Sequence, residues 1–381
     1  MPRLIRTVQE VEDLVRGVTF FSTGGGGDPV KGLRFLKETI EDIGEIELAD
    51  VDELPDDVTV CTCFYMGSIA PHTPEVEARM KAMGLTTREV ERVLPETVKA
   101  LERFLGNTVD AIVPVELGGL NTAAPIDAAA RLGKKVVDGD YAGRAVPEIV
   151  QITPSMAGKQ LAPMSSVDEW GNVAFIERVR NHECAEAMGK ALSTVAFGLV
   201  GQTAFVMSGR ELKELLIRGT VSESMMVGKT LREARERGDD PAAAVAKKLN
   251  AWVLFRGKVS GKEWEDRQGY YWGTHTISGS GEFAGHEFKI WFKNENHISW
   301  LDGKPYVTSP DIIQVIQAGT GEPITNPMLS EGVNVAVIGV RKRRAFATKE
   351  GIAAVGPNHY GFDIEHMPIE EVVNRGDRKH G

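Results

Sequence analysis

The chain has 381 residues and a formal net charge of −10, from 44 Lys and Arg against 54 Asp and Glu. This length predicts two or three domains around a core that needs no disulfide staples, and 42% hydrophobic residues exclude a disordered or collagen-like chain. Because the chain is acidic and its only basic run is 341–344, nucleic acid is not expected as a partner.

The cysteines and the N-terminus favour a cytoplasmic protein. Cys61, Cys63 and Cys184 cannot form a full set of bridges and include no CxxC pair, which fits a reducing compartment. The first 17 residues are charged every few positions and lack the apolar stretch of a signal peptide. No window approaches 18 uncharged apolar residues, so no membrane partner is expected.

The first part of the chain alternates helical and strand patterns. Thr7 and Glu10 form a capping box before a helix over 8–16, and a glycine loop leads into a second helix after Asp28. Apolar strand runs then alternate with helical patterns: strands at 58–64, 110–115 and 135–137, helices at 74–83, 89–105 and 123–132. This alternation predicts an α/β domain with a mostly parallel sheet covered on both faces.

The second part of the chain changes character. Residues 172–250 have a helical pattern, and 251–365 has the alternation and turns of a β-rich region. The Ala- and Gly-containing stretch 154–166 is the predicted boundary. The sequence therefore predicts an N-terminal α/β domain over 1–165 and a C-terminal domain over 166–381, helical first and β-rich afterwards.

Four consecutive glycines and the Asp28 that follows them form the first candidate substrate-binding loop. Gly24, Gly25, Gly26 and Gly27 leave the backbone free to bring its N–H groups against a ligand, and a helix starting after Asp28 adds its positive dipole end. This favours an anion or a carbonyl oxygen as the bound group. The loop has neither the Gly-Lys-Ser/Thr ending of an ATP loop nor a dinucleotide fingerprint. The alternative is a tight turn between closely packed elements.

A charged cluster follows the strand at 135–137. Asp138, Asp140, Arg144 and Glu148 would supply a general base held in place by an arginine. The alternative is structural: Asp140 would cap a helix in which Arg144 and Glu148 form an i,i+4 pair.

Two further polar segments interrupt strand patterns. Glu116 and Asn121 follow the strand at 110–115, with glycines between them that suggest backbone close to a ligand. Residues 293–297 break an apolar strand pattern, and either line a site or form a solvated hairpin edge. The side chains from this segment that suit binding of ureide-type N–H and C=O groups are Asn294, Glu295 and Asn296.

No metal motif is present in the sequence. The eight histidines are scattered and form no HxH or HExxH pattern. The alternative is a divalent ion such as zinc, held by His, Asp and Glu residues that are distant in sequence. Cys61 and Cys63 are expected to be small core residues.

An ordered set of motifs carries a family resemblance. These motifs are Thr23–Pro29, Glu116–Asn121, Asp138–Glu148, Asn294–Asn296, Ser309–Ile313, Gly321–Ile324 and Val355–Pro357. Together they resemble the S-methyl thiohydantoin desulfurase family, which is associated with hydantoin metabolism. The resemblance runs from about residue 10 to 368.

The resemblance implies an N-terminal α/β domain, a β-rich C-terminal domain, and hydrolysis of an S-methylated thiohydantoin to a hydantoin with release of methanethiol. It places this reaction in the breakdown of S-methyl ergothioneine and related imidazole compounds. For this chemistry, Asp138 or Asp140 is the expected base and Arg144 its orienting residue. The amides of 24–27 and Asn121 would hold a ring carbonyl or a substrate carboxylate.

Two alternatives stand beside this interpretation. One is an amidohydrolase, or a subunit of one, that acts on a hydantoin-type ring amide and releases no thiol. The other is a non-catalytic subunit that binds a small anion. In each case a small molecule is the ligand, and the size of the chain with its exposed β domain is compatible with a homo-oligomer.

Overall fold

The computed structural model describes residues 3–377. Its helices are α1 (Val8–Phe21), α2 (Pro29–Ile43), α3 (Pro74–Ala82), α4 (Val93–Leu105), α5 (Ala123–Arg131), α6 (Thr153–Met156), α7 (His182–Val195), α8 (Gly209–Leu215), α9 (Thr220–Arg237), α10 (Pro241–Leu249), α11 (Lys349–Val355) and α12 (Ile369–Asp377).

The strands of the first half are β1 (Arg3–Ile5), β2 (Ile46–Ala49), β3 (Thr59–Gly67), β4 (Ala111–Pro114), β5 (Lys135–Val137), β6 (Gly139–Asp140), β7 (Met164–Val167), β8 (Val173–Ile176) and β9 (Leu199–Ser208). Those of the second half are β10 (Ile217–Arg218), β11 (Trp252–Arg267), β12 (Tyr270–Gly279), β13 (Glu287–Lys293), β14 (Glu295–Leu301), β15 (Lys304–Thr308), β16 (Ile312–Gln317) and β17 (Asn334–Val340).

The first sheet has the strand order β1-β2-β5-β4-β3-β9-β7-β8. Its centre, β2-β5-β4-β3, is parallel, and the other pairings are antiparallel. The strands β3 and β4 are apolar and almost entirely buried, as expected for parallel strands covered on both faces. The predicted fold class is confirmed: an α/β N-terminal half on parallel strands, followed by a β-rich C-terminal half.

The predicted helical segment 172–250 is only partly helical. It contains α7, α8, α9 and α10, but β8 and β9 also fall within it and join the first sheet. The prediction missed β9 because this strand lies between β3 and β7 and is buried along most of its length. A strand buried on both faces shows no two-residue alternation, so its sequence cannot be told from a buried helix.

The second sheet is antiparallel, with the order β15-β14-β13-β12-β11-β17-β16. The predicted β-rich region therefore begins where expected, at Trp252, but its last strand ends at Val340. Beyond that point α11 forms, because Thr348 caps its first turn by accepting a hydrogen bond from the Gly351 amide.

Helix caps and a close helix crossing position the glycine loop. The Thr7–Glu10 capping box is present, and the Asp28 side chain caps α2. Along α1, a Cβ on Gly17 would lie 1.6 Å from the Ser224 carbonyl oxygen of α9, so only glycine permits this approach. The end of α1, where the loop begins, is thereby fixed against α9. Within residues 3–377, no helix has the length and apolar character needed to cross a bilayer.

Candidate active site

A cleft opens at the carboxyl ends of β3 and β4, facing the turn between β13 and β14. This is the edge at which parallel sheets usually bind ligands. Its polar lining comes from both halves of the chain: Glu116, Asn121, Glu148, Glu186, Lys190, Asn294 and Glu295. Apolar walls are supplied by residues such as Phe64, Met66, Val115, Ile149 and Leu199.

Glu116 lies just after β4 and is only 5% exposed. Its Oε1 accepts a hydrogen bond from the Asn121 side-chain amide at 2.8 Å, and its Oε2 accepts one from the Val146 backbone amide at 2.8 Å. Burial raises the pKa of Glu116 to about 7, although both hydrogen bonds act in the opposite direction. Glu116 is therefore a carboxyl group that exchanges its proton near neutral pH.

Asn121 connects Glu116 to the neighbouring strand. Its Oδ1 accepts from the Tyr65 backbone amide at 2.8 Å, and its Nδ2 donates to the Tyr65 carbonyl at 3.1 Å as well as to Glu116. The Asn121 side chain thus pairs with the backbone of β3 as a neighbouring strand would. Glu116 and Asn121 therefore lie side by side in the cleft, and their binding of substrate stays a prediction.

Glu295 approaches the same cleft from the second sheet. It follows Asn294, whose φ of 57° makes the tight turn between β13 and β14. Glu295 is 2% exposed; its Oε1 accepts from the Gly26 amide at 3.3 Å, and its Oε2 has no hydrogen-bond partner. Burial and the charge of Glu116 raise the pKa of Glu295 well above its usual value. A solvated hairpin edge is excluded for this segment, because residues 293–297 are all buried.

The glycine loop is a close contact between the two halves of the chain. A Cβ on Gly25 would lie 1.8 Å from Glu295 Oε1, so a side chain at this position would displace the carboxyl group. The Gly26 carbonyl accepts from the amides of Leu120 and Asn121. Gly26 and Gly27 line the cleft, whereas Gly24 and Gly25 do not. The amides of Gly25 and Gly26 are already bound, to the Ser22 carbonyl and to Glu295.

Lys190 of α7 is the buried cation of the cleft. Its ammonium group donates to the Gly269 carbonyl at 3.2 Å and to the Gly67 carbonyl at 3.5 Å, and it lies 3.9 Å from the centre of the Tyr270 ring. Glu186, one turn earlier, is 3.8 Å away and accepts from the Tyr270 hydroxyl. Burial lowers the pKa of Lys190, and the charge of Glu186 opposes this effect.

Glu148 lines the cleft as a stably ionised carboxylate. It forms ion pairs with Lys293 and His359. Burial acts to raise its pKa, but the hydrogen bond from His359 and the charge of Lys293 together lower the pKa of Glu148 to about 2. Because Glu148 pairs with these residues, the predicted pair between Arg144 and Glu148 is not formed.

The structure places Asp138 and Asp140 outside the cleft, which corrects the expectation that one of them is the base. Both carboxylates serve the start of α9: Asp138 accepts from the Ser222 amide at 2.9 Å, and Asp140 accepts from the Thr220 hydroxyl at 2.7 Å. Asp140 also accepts from the amides of Ala142 and Gly143. The structural alternative is modified too, since no helix begins at Asp140. Burial raises the pKa of Asp140 to about 6 without giving it access to a ligand.

Arg144 ties backbone segments together and orients no carboxylate. It is fully buried, and its guanidinium donates to the Thr23 hydroxyl and the Asn296 carbonyl, each at 3.0 Å, and to the Ala145 carbonyl at 2.9 Å. Asn296 likewise does not line the cleft: its amide donates to the Thr23 carbonyl and its side chain to the Ile313 carbonyl. Both residues dock the glycine loop onto the second sheet.

Comparison with known proteins identifies the family. The model of the S-Me-THD-like N-terminal domain matches residues 9–178, and that of the S-Me-THD-like C-terminal domain matches residues 180–369. The chain belongs to the S-Me-THD-like family. This confirms the resemblance to the S-methyl thiohydantoin desulfurases.

A solved structure shares the fold of this S-Me-THD-like chain. It is a crystal structure of a protein from Chromobacterium violaceum, a structural genomics target, with a TM-score of 0.77 and 21% sequence identity. The alignment covers 96% of this chain and 100% of that one. A search of curated proteins gives no match.

The S-Me-THD-like cleft also contains residues that the sequence did not single out. Glu186 and Lys190 have the i,i+4 spacing of an ordinary surface pair, so their pattern gives no hint of burial. A metal site remains a prediction: in the described part of the chain, no group of three or more His, Cys, Asp and Glu side chains is arranged to hold an ion.

Proposed function

We propose that this chain hydrolyses an S-methylated thiohydantoin to the hydantoin, releasing methanethiol. The observation that carries the proposal is the pair of buried carboxyl groups, Glu116 and Glu295, which come from the two halves of the chain and line one cleft. The family match supports the substrate class. The cleft supports a reaction that needs one carboxylate and one carboxylic acid.

The reaction is balanced by one water molecule. Water adds to the ring carbon that carries the S-methyl group, so that a C–O bond forms and the C=N double bond becomes a single bond. The C–S bond then breaks and methanethiol leaves with one proton. The ring carbon becomes a carbonyl next to an N–H group. This sequence requires a base for the water and a proton donor for the ring nitrogen or the leaving sulfur.

Glu116 suits the base. Donors from Asn121 and Val146 occupy one position on each of its oxygens and favour its ionised form, and each oxygen retains a further lone pair for a water molecule. Its pKa of about 7 lets it accept a proton from water at neutral pH and release it afterwards. We therefore expect kcat/KM to rise as the pH increases through about 7.

Glu295 suits the proton donor. Burial and the charge of Glu116 raise its pKa, and these outweigh the charges of Arg144 and Lys190 and the weak hydrogen bond from the Gly26 amide. The raised pKa of Glu295 favours its protonated form. A protonated Glu295 has one O–H group to donate, and its unpartnered Oε2 is free to donate it to a substrate heteroatom.

The test is to incubate the purified chain with an S-methyl thiohydantoin that carries a propionate at ring carbon 5, in ¹⁸O-labelled water. We expect free methanethiol, measured with a thiol reagent, and a hydantoin with one ¹⁸O atom in its ring, measured by mass spectrometry. Glu116→Gln keeps the size of the side chain and should lower kcat by about 10²- to 10⁴-fold.

The other outcomes identify the alternatives. A ring-opened carbamoyl product without thiol would indicate an amidohydrolase and contradict the proposal. Binding of the compound without turnover, with activity only on mixing with a partner, would indicate a binding subunit.

A further inference from the structure

A second cavity, the outer chamber, adjoins the cleft between the start of α2 and the end of β3. Lys31 of α2 lines this outer chamber. Three residues, Tyr65, Ile69 and Leu199, line both the cleft and the outer chamber. The cleft and the outer chamber are therefore adjacent.

Lys31 is a cation in this chamber without an ion-pair partner among the described residues. Its ammonium lies 5.3 Å from the centre of the Tyr65 ring and 5.6 Å from that of Phe35, and in residues 3–377 it makes no hydrogen bond or ion pair. Burial lowers the pKa of Lys31, with the charge of Glu169 acting against this. A bound anion would restore the partner that a partly buried ammonium needs.

The acidic residues around Lys31 are engaged elsewhere. Glu169 pairs with Arg88, and Glu91 pairs with Arg34. Asp28 accepts from the Val30 amide at 2.9 Å as the cap of α2. Arg88 also lines the outer chamber but is paired with Glu169, so Lys31 is the chamber's cation that forms no ion pair among the described residues.

We propose that the outer chamber binds a carboxylate substituent of the substrate ring, with Lys31 as the specificity-determining residue. This inference rests on the proposed function for the position of the ring. The cleft itself is unsuited to the negatively charged substituent, because four glutamates line it: Glu116, Glu148, Glu186 and Glu295. Its own cation, Lys190, already contacts two carbonyl groups and Glu186.

The test measures binding and turnover separately. The binding probes are 5-(2-carboxyethyl)hydantoin and its primary amide, which has the same size and no charge. By calorimetry, we expect wild-type protein to prefer the acid, and Lys31→Met to weaken binding of the acid by roughly 10- to 100-fold while leaving the amide nearly unchanged. Lys31→Arg should retain most of the preference.

Lys37→Met is the matched control. Lys37 lies on the same helix and lines neither cavity; its ammonium pairs with Glu12. We expect this variant to bind the acid as wild-type protein does. Equal affinity of wild-type protein for acid and amide, or an equal loss of both in Lys31→Met, would overturn the proposal. Normal discrimination without methanethiol release would instead contradict the proposed reaction and leave the carboxylate subsite standing.

Discussion

Two groups of acidic residues follow neighbouring strands of the parallel sheet, and they have different tasks. Glu116 follows β4 and faces the cleft, together with Glu295 from the second sheet. Asp138 and Asp140 follow β5 and hold the first turn of α9. Burial raises the pKa of both Glu116 and Asp140, so a shifted pKa alone does not separate the two groups.

Hydrogen bonding and access separate them. Asp140 accepts three hydrogen bonds from the protein, whereas Glu295 accepts one and has an oxygen without a partner. A buried polar atom without a partner is costly, and in a cleft a ligand can supply that partner. The comparison therefore predicts that the acids after β5 serve stability and that the acids of the cleft serve the proposed reaction.

Loss of the proton donor should have the largest effect. In Glu295→Gln, the amide can still accept from the Gly26 amide but can no longer transfer a proton, so we expect kcat to fall by about 10²- to 10⁴-fold. Thiol release under saturating substrate measures this, with the thermal midpoint as a check on folding. A variant that folds normally and keeps wild-type kcat would remove Glu295 from the chemistry.

The opposite result is expected for Asp140. Asp140→Ala leaves the amides of Ala142 and Gly143 and the Thr220 hydroxyl without their acceptor, which should lower the free energy of unfolding by about 2 to 5 kcal/mol. Urea titration measures the loss. In the fraction that remains folded, kcat should change less than threefold or so. A kcat loss as large as that of Glu295→Gln would break the comparison.

The pH dependence of stability gives an intermediate effect. The pKa of Glu116 is raised from 4.5 to about 7, so the unfolded state binds fewer protons than the native state between these values. The contribution of Glu116 to the free energy of unfolding is complete below about pH 4.5 and is lost as the pH rises through about 7. Between about pH 4 and about pH 9, we expect the free energy of unfolding to decline less in Glu116→Gln than in the wild-type protein, by roughly 1 to 3 kcal/mol. Identical declines in variant and wild type would contradict the assignment.

Gly25→Ala tests the contact between the glycine loop and Glu295 without removing either carboxyl group. The added methyl group would lie 1.8 Å from Glu295 Oε1, and moving that side chain should lower kcat by about 10-fold. Gly319→Ala is the control, because a Cβ there has no atom within 4 Å. If both variants retain full activity, the position of Glu295 is less critical than the geometry indicates.

Asp138→Asn should have the smallest effect. The asparagine oxygen can still accept from the Ser222 amide, so we expect both stability and kcat to remain close to the wild-type values. Loss of thiol release in this variant would restore the base that the sequence favours.

The sequence predicted the fold where its signals were local. The Thr7 capping box, the helix after Asp28, the strands near 58–64 and 110–115 and the start of the β-rich half are all present. β9 was missed because its burial hides the periodicity of a strand.

The site was predicted in part. Polar residues that interrupt a buried pattern are visible in the sequence, and five that it singled out line the cleft: Glu116, Asn121, Glu148, Asn294 and Glu295. Their roles in binding and catalysis stay predictions. Asp138 and Asp140 also follow a buried strand and so look like site residues, but their hydrogen-bond partners on α9 lie some 80 residues away in the sequence. Such long-range hydrogen bonds leave no local trace, so a capping acid and a catalytic acid look alike in the sequence.

The position of β9 has a consequence for how this chain can be divided. The two family segments meet between residues 178 and 180, yet β9 belongs to the second segment and pairs with β3 and β7 of the first. A gene cut at that junction would leave β3 with a long row of unpaired backbone groups, which is a template for aggregation. The two segments therefore form one folding unit, and expression of the first segment without the second should yield insoluble protein.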